Sequence, residues 1–318
     1  MLPLETSTLV FWQDERFWLH GGLILLVLAV FAYVLRLLFA QRPLAHGAAW
    51  WLLLLSAVAF STSIACRSAE AGYFALSNMY ESLLVLSIAT QCLFLWLDRT
   101  FRLPAMGWPV SLLVLATVAY ATTLPTNIQP LQAALQSYWR SIHVPVILSA
   151  YAMFTLAFIS SLLLLVQSWR EQGAPSHRAN GQQNIHAASQ GLPSFGLPLL
   201  ATGPEAAGGS GALSLVSLYD EVTYRCVTLG FPLLTIGIIL GGLWANEAWG
   251  NYWSWDPKES MSLVTLLGYG VYLHLRVNGE HRPQTLAWVS VAGFVLMLVT
   301  YFGVNLMGVG LHSYGKIG

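Results

Sequence analysis

Residues 19–39 of the chain read LHGGLILLVLAVFAYVLRLLF, an apolar run of 21 residues in which Arg36 is the one charged residue. A helix needs about 20 apolar residues to cross the hydrocarbon core of a bilayer, which is roughly 30 Å thick. The full chain of 318 residues is 56% hydrophobic and 9% charged, which is too apolar for an ordinary soluble domain. The run therefore predicts the first transmembrane helix of a polytopic membrane protein.

Seven further apolar runs have the length of a transmembrane helix, and we place them at residues 47–66, 78–97, 105–124, 143–168, 224–244, 258–276 and 285–307. Two of them begin with a helix-start signal. Asn78 and Glu81 have the spacing of a capping box, and so do Asp256 and Glu259. Pro257, directly after Asp256, occupies the first helical position. The sequence predicts an all-α fold, a polytopic bundle of about eight transmembrane helices.

Residues 170–218 separate the fifth and sixth predicted helices and are rich in Gly, Ala, Ser, Pro and Gln, without helical periodicity. This composition predicts a low-complexity, poorly ordered cytoplasmic loop. The chain has no evident internal repeat, so we expect one membrane domain over residues 1–318. Its first residues carry acids and aromatics instead of a basic segment, and we expect no removable signal peptide.

The distribution of positive charge predicts the orientation, because Lys and Arg concentrate in cytoplasmic loops. An even number of helices places both termini on one side. Nine of the 14 Lys and Arg fall in one set of loops: Arg36, Arg42, Arg99, Arg102, Arg170, Arg178, Arg225, Arg276 and Arg282. The other five fall in the opposite set: Arg16, Arg67, Arg140, Lys258 and Lys316. We therefore expect both termini, and residues 244–257, on the outer (periplasmic or lumenal) side.

Charge and cysteine content exclude several classes of protein. The net charge is zero, and no concentrated basic face supports a nucleic-acid partner. Cys66, Cys92 and Cys226 are scattered, without a CxxC pair or a CxxCH motif. The chain is therefore not itself a c-type cytochrome, and the sequence supports neither a disulfide framework nor a cysteine zinc site.

Three histidines lie near the ends of apolar runs, where an unbound imidazole is costly. His143, after the predicted cap Ser141, opens the fifth run, and His312 follows the last run on the same outer side. A helix N-terminus favours the neutral imidazole that a metal requires. The sequence thus predicts His143 and His312 as a pair of outer metal ligands, with His20 as the nearest rival.

His274 belongs to the opposite side of the membrane. It is eighteen residues beyond Asp256, which corresponds to about 27 Å along a helix. That distance places it at the cytoplasmic end of the seventh run. Two interpretations remain open, a ligand at a second site and a histidine that only reaches the interface or bonds a neighbouring helix.

Residues 244–260, WANEAWGNYWSWDPKES, contain four tryptophans between two apolar runs. An ordinary interfacial aromatic belt is one interpretation. Trp249 and Trp253 are four residues apart and predicted to share a helical face, with Trp255 just beyond them. Such a surface suits a large flat ring with charged edges, and porphyrin with two histidine ligands fits that description. The candidate partners for its propionates are the outer cations Arg67, Arg140 and Lys258.

The tryptophan segment resembles the WWD segment of haem-handling proteins, in the form found in the CcsA family of System II cytochrome c biogenesis proteins. That family occurs in cyanobacteria, chloroplasts and many bacteria. Also similar to the family are GFPLLTIGII (230–239), SNMYESLLVLS (77–87), IHVPVILSAY (142–151), YLHLR (272–276) and GLHSYG (310–315). The resemblance covers most of the chain apart from residues 171–215 and the extreme N-terminus.

The resemblance implies a site for haem b at the outer face, bound transiently and without covalent attachment. It implies that His143 and His312 are the axial ligands, and that the platform includes Trp249, Trp253, Trp255 and Asp256. It further implies that His274 is an intramembrane haem ligand completed by a histidine of a CcsB-type membrane partner.

The function that this resemblance implies is transport of haem across the membrane and its attachment to the CxxCH thiols of apocytochromes c. The chain would act as a component of a cytochrome c haem-lyase complex, with a thiol-reducing thioredoxin-like protein as a further partner. The implied location is the cyanobacterial thylakoid membrane, or otherwise a bacterial plasma membrane.

Three other functions remain alternatives. A CcmC-like or CcmF-like haem-handling protein also carries a WWD segment, but we expect six spans of the former and many more than eight of the latter. A b-type electron-transfer protein would hold permanent haem between two histidine pairs. A small-solute transporter with an ordinary aromatic belt would bind no haem.

Overall fold

The computed structural model describes residues 14–38, 43–103, 105–173, 214–279 and 281–303. These residues form the helices α1 (Glu15–Leu38), α2 (Pro43–Ala71), α3 (Met79–Phe101), α4 (Gly107–Ala121), α5 (Trp139–Gly173), α6 (Leu215–Trp249), α7 (Pro257–Val277) and α8 (Pro283–Leu298). A short 3₁₀ turn, Ala133–Leu135, lies between α4 and α5, and α8 continues into a π-helical turn, Val299–Gly303. No strand occurs in these described ranges, which confirms the predicted all-α fold.

Each helix overlaps one of the eight predicted apolar runs. In the described part of the chain, six helices are long and apolar enough to cross a membrane, namely α1, α2, α3, α5, α6 and α8 with its π turn. The other two are α4, which has 15 residues, and the more polar α7, which has 21. The protein is thus a polytopic membrane bundle. Eight spans and outer termini stay predictions, and both termini lie outside the described residues.

Helices α5 and α6 extend into both ends of the predicted loop 170–218. Helix α5 continues to Gly173, and α6 begins at Leu215, where the Ser214 side chain accepts a hydrogen bond from the Ser217 N–H. The loop prediction is therefore wrong at its two ends, because this serine cap starts a helix within the polar stretch. Residues 174–213 lie outside the described part of the chain.

Helix α5 begins four residues before its predicted start at residue 143. The Trp139 N–H donates to Ser137 Oγ at 3.3 Å, so a serine caps the helix earlier than Ser141, which lies inside it. His143 is consequently the fifth residue of α5 and not part of an opening cap. The helix dipole therefore favours the neutral His143 imidazole less strongly than predicted, because the field of a helix N-terminus falls off within the first turn.

Helix α5 occupies the centre of the bundle and packs against α3, α6 and α8, whereas α1 and α2 pair with each other beside α3 and α4. Glycines on α6 permit a close approach to α5. A Cβ added at Gly230 would lie 2.6 Å from the Phe154 ring, and one added at Gly237 would lie 2.5 Å from Ile147. These contacts hold the first half of α5 directly against the middle of α6.

Candidate functional site

A cavity of about 630 Å³ opens at the end of the bundle where α5 begins and α6 ends. Its volume is within the range of roughly 300–1,000 Å³ that small-molecule sites occupy. The wall combines residues from the turn before α3, the loop between α4 and α5, the first half of α5, the end of α6, the start of α7 and the π turn. His143 and Trp253 both belong to this wall. By the predicted topology, this is the outer end of the bundle.

The ring of His143 is oriented by a backbone carbonyl. Its Nδ1 lies 2.8 Å from the carbonyl oxygen of Gly237 on α6. A carbonyl only accepts hydrogen bonds, so Nδ1 is the donor, and the neutral ring keeps its lone pair on Nε2. Histidines that bind metals commonly donate their second ring N–H in this way. The geometry therefore gives His143 the tautomer that a metal ligand needs.

Two more residues of α6 complete the seat of His143. A Cβ at Gly241 would lie 2.8 Å from Cε1 of the imidazole, so only glycine leaves room for the ring. On the next turn the buried indole of Trp244 packs on the imidazole, with ring centroids 5.7 Å apart. None of these three α6 contacts was predicted from the sequence. The spacing of Gly237 and Gly241 is the small-xxx-small pattern of close helix contacts in membranes and was the available signal.

The predicted helical face shared by Trp249 and Trp253 is wrong. Gly250 adopts a left-handed conformation (φ 77°), and its N–H donates to the Asn246 carbonyl at 2.9 Å. Glycine in this conformation is a common helix terminator. Helix α6 therefore ends at Trp249, and Trp253 lies in the following loop.

The residues predicted to form the platform occupy different environments. Among the described residues, the cavity wall includes Trp253 but not Trp249, Trp255 or Asp256. Trp255 is 72% exposed, its backbone has a φ of 59°, and its ring contacts that of Trp253 edge to face at 5.8 Å. A positive φ in a bulky residue is uncommon and costs roughly 1–3 kcal/mol. The surrounding structure must therefore hold this loop in place.

The capping box at the start of α7 is confirmed and supplies this restraint. Asp256 is buried, and its Oδ1 accepts a hydrogen bond from the Lys258 N–H at 2.9 Å. In return, Oε2 of Glu259 accepts from the N–H groups of Asp256 at 3.2 Å and Ser254 at 2.8 Å. Because Ser254 separates Trp253 from Trp255, the box fixes the tryptophan loop relative to α7.

The three outer cations differ in position. Lys258 belongs to the cavity wall. Arg67 is 1% exposed and forms ion pairs with Glu15 and Glu81, and the buried Arg140 donates from Nη1 to the Phe74 carbonyl at 2.8 Å. Of the three, therefore, only Lys258 stands where it would meet a group inside the cavity.

The other predicted histidines lie away from the described cavity wall. His274 is exposed in the last turn of α7, and its Nε2 lies 3.2 Å from Nδ2 of Asn278. His20 is exposed on α1, where its Nδ1 lies 2.7 Å from the Arg16 carbonyl. His312 lies outside the described residues. Within the described ranges, no cluster of three His, Cys, Asp or Glu could hold a metal ion, and the three cysteines form no disulfide.

The π turn anchors the last described residues at the cavity. The hydroxyls of Tyr301 and Ser82 on α3 lie 2.8 Å apart, as do those of Thr300 and Thr265 on α7. Thr300 and Tyr301 both contribute to the wall. π turns occur frequently at functional sites. The last described turn of the chain therefore lies next to the cavity.

Fold and cavity define a helical membrane protein with a histidine-bearing pocket at one end of the bundle. Residues 76–312 match the family model described as cytochrome C assembly protein. The chain is 33% identical to the cytochrome c biogenesis protein CcsA of Synechocystis sp., over 95% of this chain and 97% of that protein. Identity to the CcsA protein of Microcystis aeruginosa is 34%, over 95% and 97%. Identity to the CcsA protein of Guillardia theta is 35%, over 91% of this chain and 93% of that protein.

These matches show that the chain belongs to the CcsA family of cytochrome c assembly proteins, and they confirm the resemblance seen in its motifs. The chain is accordingly an integral membrane protein of cytochrome c biogenesis. The matched range extends from the turn before α3 to His312 and contains His143, His274 and the whole tryptophan segment.

Proposed function

We propose that this protein binds haem b as cargo in the outer cavity and presents it for attachment to apocytochromes c. The observation that carries the proposal is the orientation of His143 at the cavity wall, where its Nδ1 donates to the Gly237 carbonyl and Nε2 is therefore the nitrogen that would ligate iron. The cavity volume and the membership of a cytochrome c assembly family support the same function.

Each wall residue has a definite task under this proposal. His143 ligates the iron through Nε2, while Gly241 leaves room for its ring and Trp244 packs against the ring. Trp253 offers an indole to the macrocycle, and Lys258 pairs with a propionate through a charge-assisted hydrogen bond. Trp249, Trp255 and Asp256 contribute indirectly by shaping and supporting the tryptophan loop.

His312 is the proposed second axial ligand. It follows Gly303, the end of the described chain, by nine residues, and such a segment reaches about 30 Å when extended. Because the π turn leaves the chain beside the cavity, this length suffices for His312 to approach His143 from the other side of a bound ring.

The attachment itself adds each thiol S–H of a CxxCH motif across a haem vinyl group, so a C–S bond forms and no group leaves. The haem supplies the vinyl carbons and an iron that must be reduced. This chain holds the ring and excludes water, and it leaves thiol reduction to a thioredoxin-like partner. It is therefore a component of a haem-lyase complex, and we place that complex in a cyanobacterial thylakoid membrane or a bacterial plasma membrane.

His274 is the proposed ligand of a second, inner site. Its exposed position in the last turn of α7 leaves the imidazole accessible to a neighbouring polypeptide. We propose that a CcsB-type membrane protein supplies the other ligand there.

Copurification and transfer of haem test the proposal. The purified chain, alone and with a co-expressed CcsB-type partner, should contain haem b that acidified acetone extracts completely. Addition of a reduced apocytochrome c should convert this haem into an unextractable, thioether-bound form. A chain that carries haem but never releases it would instead be a b-type electron-transfer protein, and a chain without haem in both preparations would contradict any haem function.

Substitution of Gly241 tests the seat of His143. Gly241→Ala places a Cβ 2.8 Å from the imidazole, so we expect the ring to shift and haem affinity to fall by about 10- to 100-fold, as for other changes around a metal ligand. Haem content per purified chain is the measurement. The control is Gly21→Ala, because a Cβ at Gly21 meets no atom within 4 Å. Equal haem content in both variants would contradict the described seat.

Two substitutions of Asp256 separate its cap from its charge. Asparagine caps helices as well as aspartate does, whereas alanine loses about 1 kcal/mol. We expect Asp256→Asn to retain most cytochrome c assembly. We expect Asp256→Ala to reduce it, because the tryptophan loop is held less firmly without the cap. Assembly is measured as covalent haem in a reporter cytochrome at matched protein level. A strong defect in Asp256→Asn would show that the carboxylate charge acts directly at the platform.

A further inference from the structure

The guanidinium of Arg67 is buried in α2 and engages three separate parts of the molecule. Its Nε donates to Oε1 of Glu81 at 2.7 Å, its Nη1 donates to Oε1 of Glu15 at 2.9 Å, and its Nη2 donates to the Thr126 carbonyl at 2.8 Å. A buried charge in a membrane helix is costly and usually marks a functional constraint. These contacts offset the cost by pairing one cation with two carboxylates and a carbonyl.

Glu81 transmits one of these contacts to a wall of the cavity. Its Oε2 accepts hydrogen bonds from the N–H and the hydroxyl of Ser77, at 2.6 and 2.9 Å. Its Oε1 accepts from Nδ2 of Asn78 at 3.1 Å. Ser77 and Asn78 belong to the cavity wall, together with Met79 and Tyr80 of the same turn. We call residues 76–80 the turn wall.

Thr126 belongs to a second lining segment, the loop of residues 122–138 between α4 and α5, which we call the loop wall. Its neighbours Pro125 and Asn127 line the cavity. Apart from the 3₁₀ turn, this loop wall has no regular structure, and its carbonyls receive donors from elsewhere in the molecule. Besides the Arg67 contact, the Tyr73 hydroxyl donates to Gln129 at 2.9 Å and the Trp244 indole donates to Ala134 at 2.9 Å.

We propose that Arg67 is a positioning residue that sets the separation of the turn wall and the loop wall, and thereby the width of the cavity for its cargo. One planar guanidinium holds both walls at once, through Glu81 on one side and Thr126 on the other. A lysine ammonium cannot reproduce this geometry, because it is a compact point charge without the rigid fork of donors. The inference rests on the proposed function only in treating the cavity as the cargo site.

The two glutamates supply a matched test, because both pair with Arg67 and Glu81 also accepts hydrogen bonds from Ser77 and Asn78 of the turn wall. Glu81→Gln and Glu15→Gln each remove one negative charge and keep one acceptor oxygen. We expect Glu81→Gln, and more strongly Arg67→Lys, to loosen the cavity walls. Glu15→Gln should leave them close to their native separation. All three variants are compared at equal amounts of purified protein. If Arg67→Lys fails to accumulate, the comparison of Glu81→Gln with Glu15→Gln still tests the proposal.

Wall mobility is measured without haem by cysteine labelling. Leu124→Cys, at a buried position where the loop wall lines the cavity, is introduced into a chain carrying Cys66→Ser, Cys92→Ser and Cys226→Ala, and its reaction with a membrane-impermeant maleimide is timed. We expect the rate to rise about 10-fold with Arg67→Lys, because opening of a clamped loop limits access to its buried face. Trp255→Cys, at an exposed position outside the clamp, should react at an unchanged rate.

Haem affinity is then measured in the same variants. Faster labelling together with an affinity loss of about 10-fold or more supports the proposal, by analogy with other supports of a metal site. Unchanged labelling in Arg67→Lys and Glu81→Gln overturns the positioning role. Faster labelling with unchanged haem affinity overturns it as well, and shows that haem does not bind between these walls, which is a failure of the proposed function.

Discussion

His143→Ala is expected to empty the outer haem site and to reduce cytochrome c maturation by about 100-fold or more, since removal of a ligand exceeds the 10- to 100-fold cost of disturbing its support. The imidazole is held by Gly237 and Trp244 in a cavity to which no other described histidine contributes. Its loss leaves a space next to Gly241, and added imidazole should restore part of the haem spectrum. The measurement is the absorption spectrum of the purified variant with and without imidazole.

The control for this variant is His20→Ala. His20 is also a histidine near the outer end of the bundle, but its Nδ1 lies against the Arg16 carbonyl of its own helix. We expect a normal spectrum and normal maturation. An unchanged haem spectrum in His143→Ala, or equal losses in the two variants, would remove His143 from the site.

His274→Ala is expected to empty both sites in cells if, as we propose, haem enters from the cytoplasmic side through the inner one. His274 lies about 27 Å from Asp256 by helix rise, nearly a membrane thickness, so one haem cannot contact both ends of α7. Cytochrome c maturation should fall as far as in His143→Ala. The outer site of this variant remains intact, and haem added to the purified protein should bind there with the wild-type spectrum.

The reciprocal variant provides the control for the direction of haem transfer between the two sites. His143→Ala combined with His312→Ala should retain haem at the inner site, because entry precedes presentation. If His274→Ala fills its outer site from internal haem and matures cytochrome c at the wild-type rate, the relay is wrong. His274 would then be a histidine at the interface whose described neighbour is Asn278.

Features set by local sequence were predictable. Apolar runs located all eight described helices, since transfer into a bilayer depends mainly on the composition of each segment. The capping box of Asp256 and Glu259 was predictable for the same reason, because its partners are three residues apart. The prediction that Trp249 and Trp253 share a helical face was wrong because Gly250, which lies between them, ends the helix.

Features set by contacts between distant segments were not predictable in this way. The carbonyl that orients His143 is 94 residues further along the chain, and nothing local to residue 143 specifies it. Arg67 was predicted as a candidate for the propionates from its position at the outer side. Its pairing with Glu15 could not be foreseen, because Glu15 is 52 residues away in the sequence. A count of outer cations cannot distinguish an internally paired arginine from one that faces a cavity, such as Lys258 in the observed wall.

We expect His143 to bind the iron of a haem in the outer cavity, with a second histidine on the opposite face. Near-infrared magnetic circular dichroism of the oxidised, purified protein tests it most directly, because its charge-transfer band reports the pair of axial ligands. A bis-histidine band that disappears in His143→Ala and persists in His20→Ala is the predicted result. A wild-type band from any other ligand pair, or a bis-histidine band that survives in His143→Ala purified without the inner-site partner, would contradict the account.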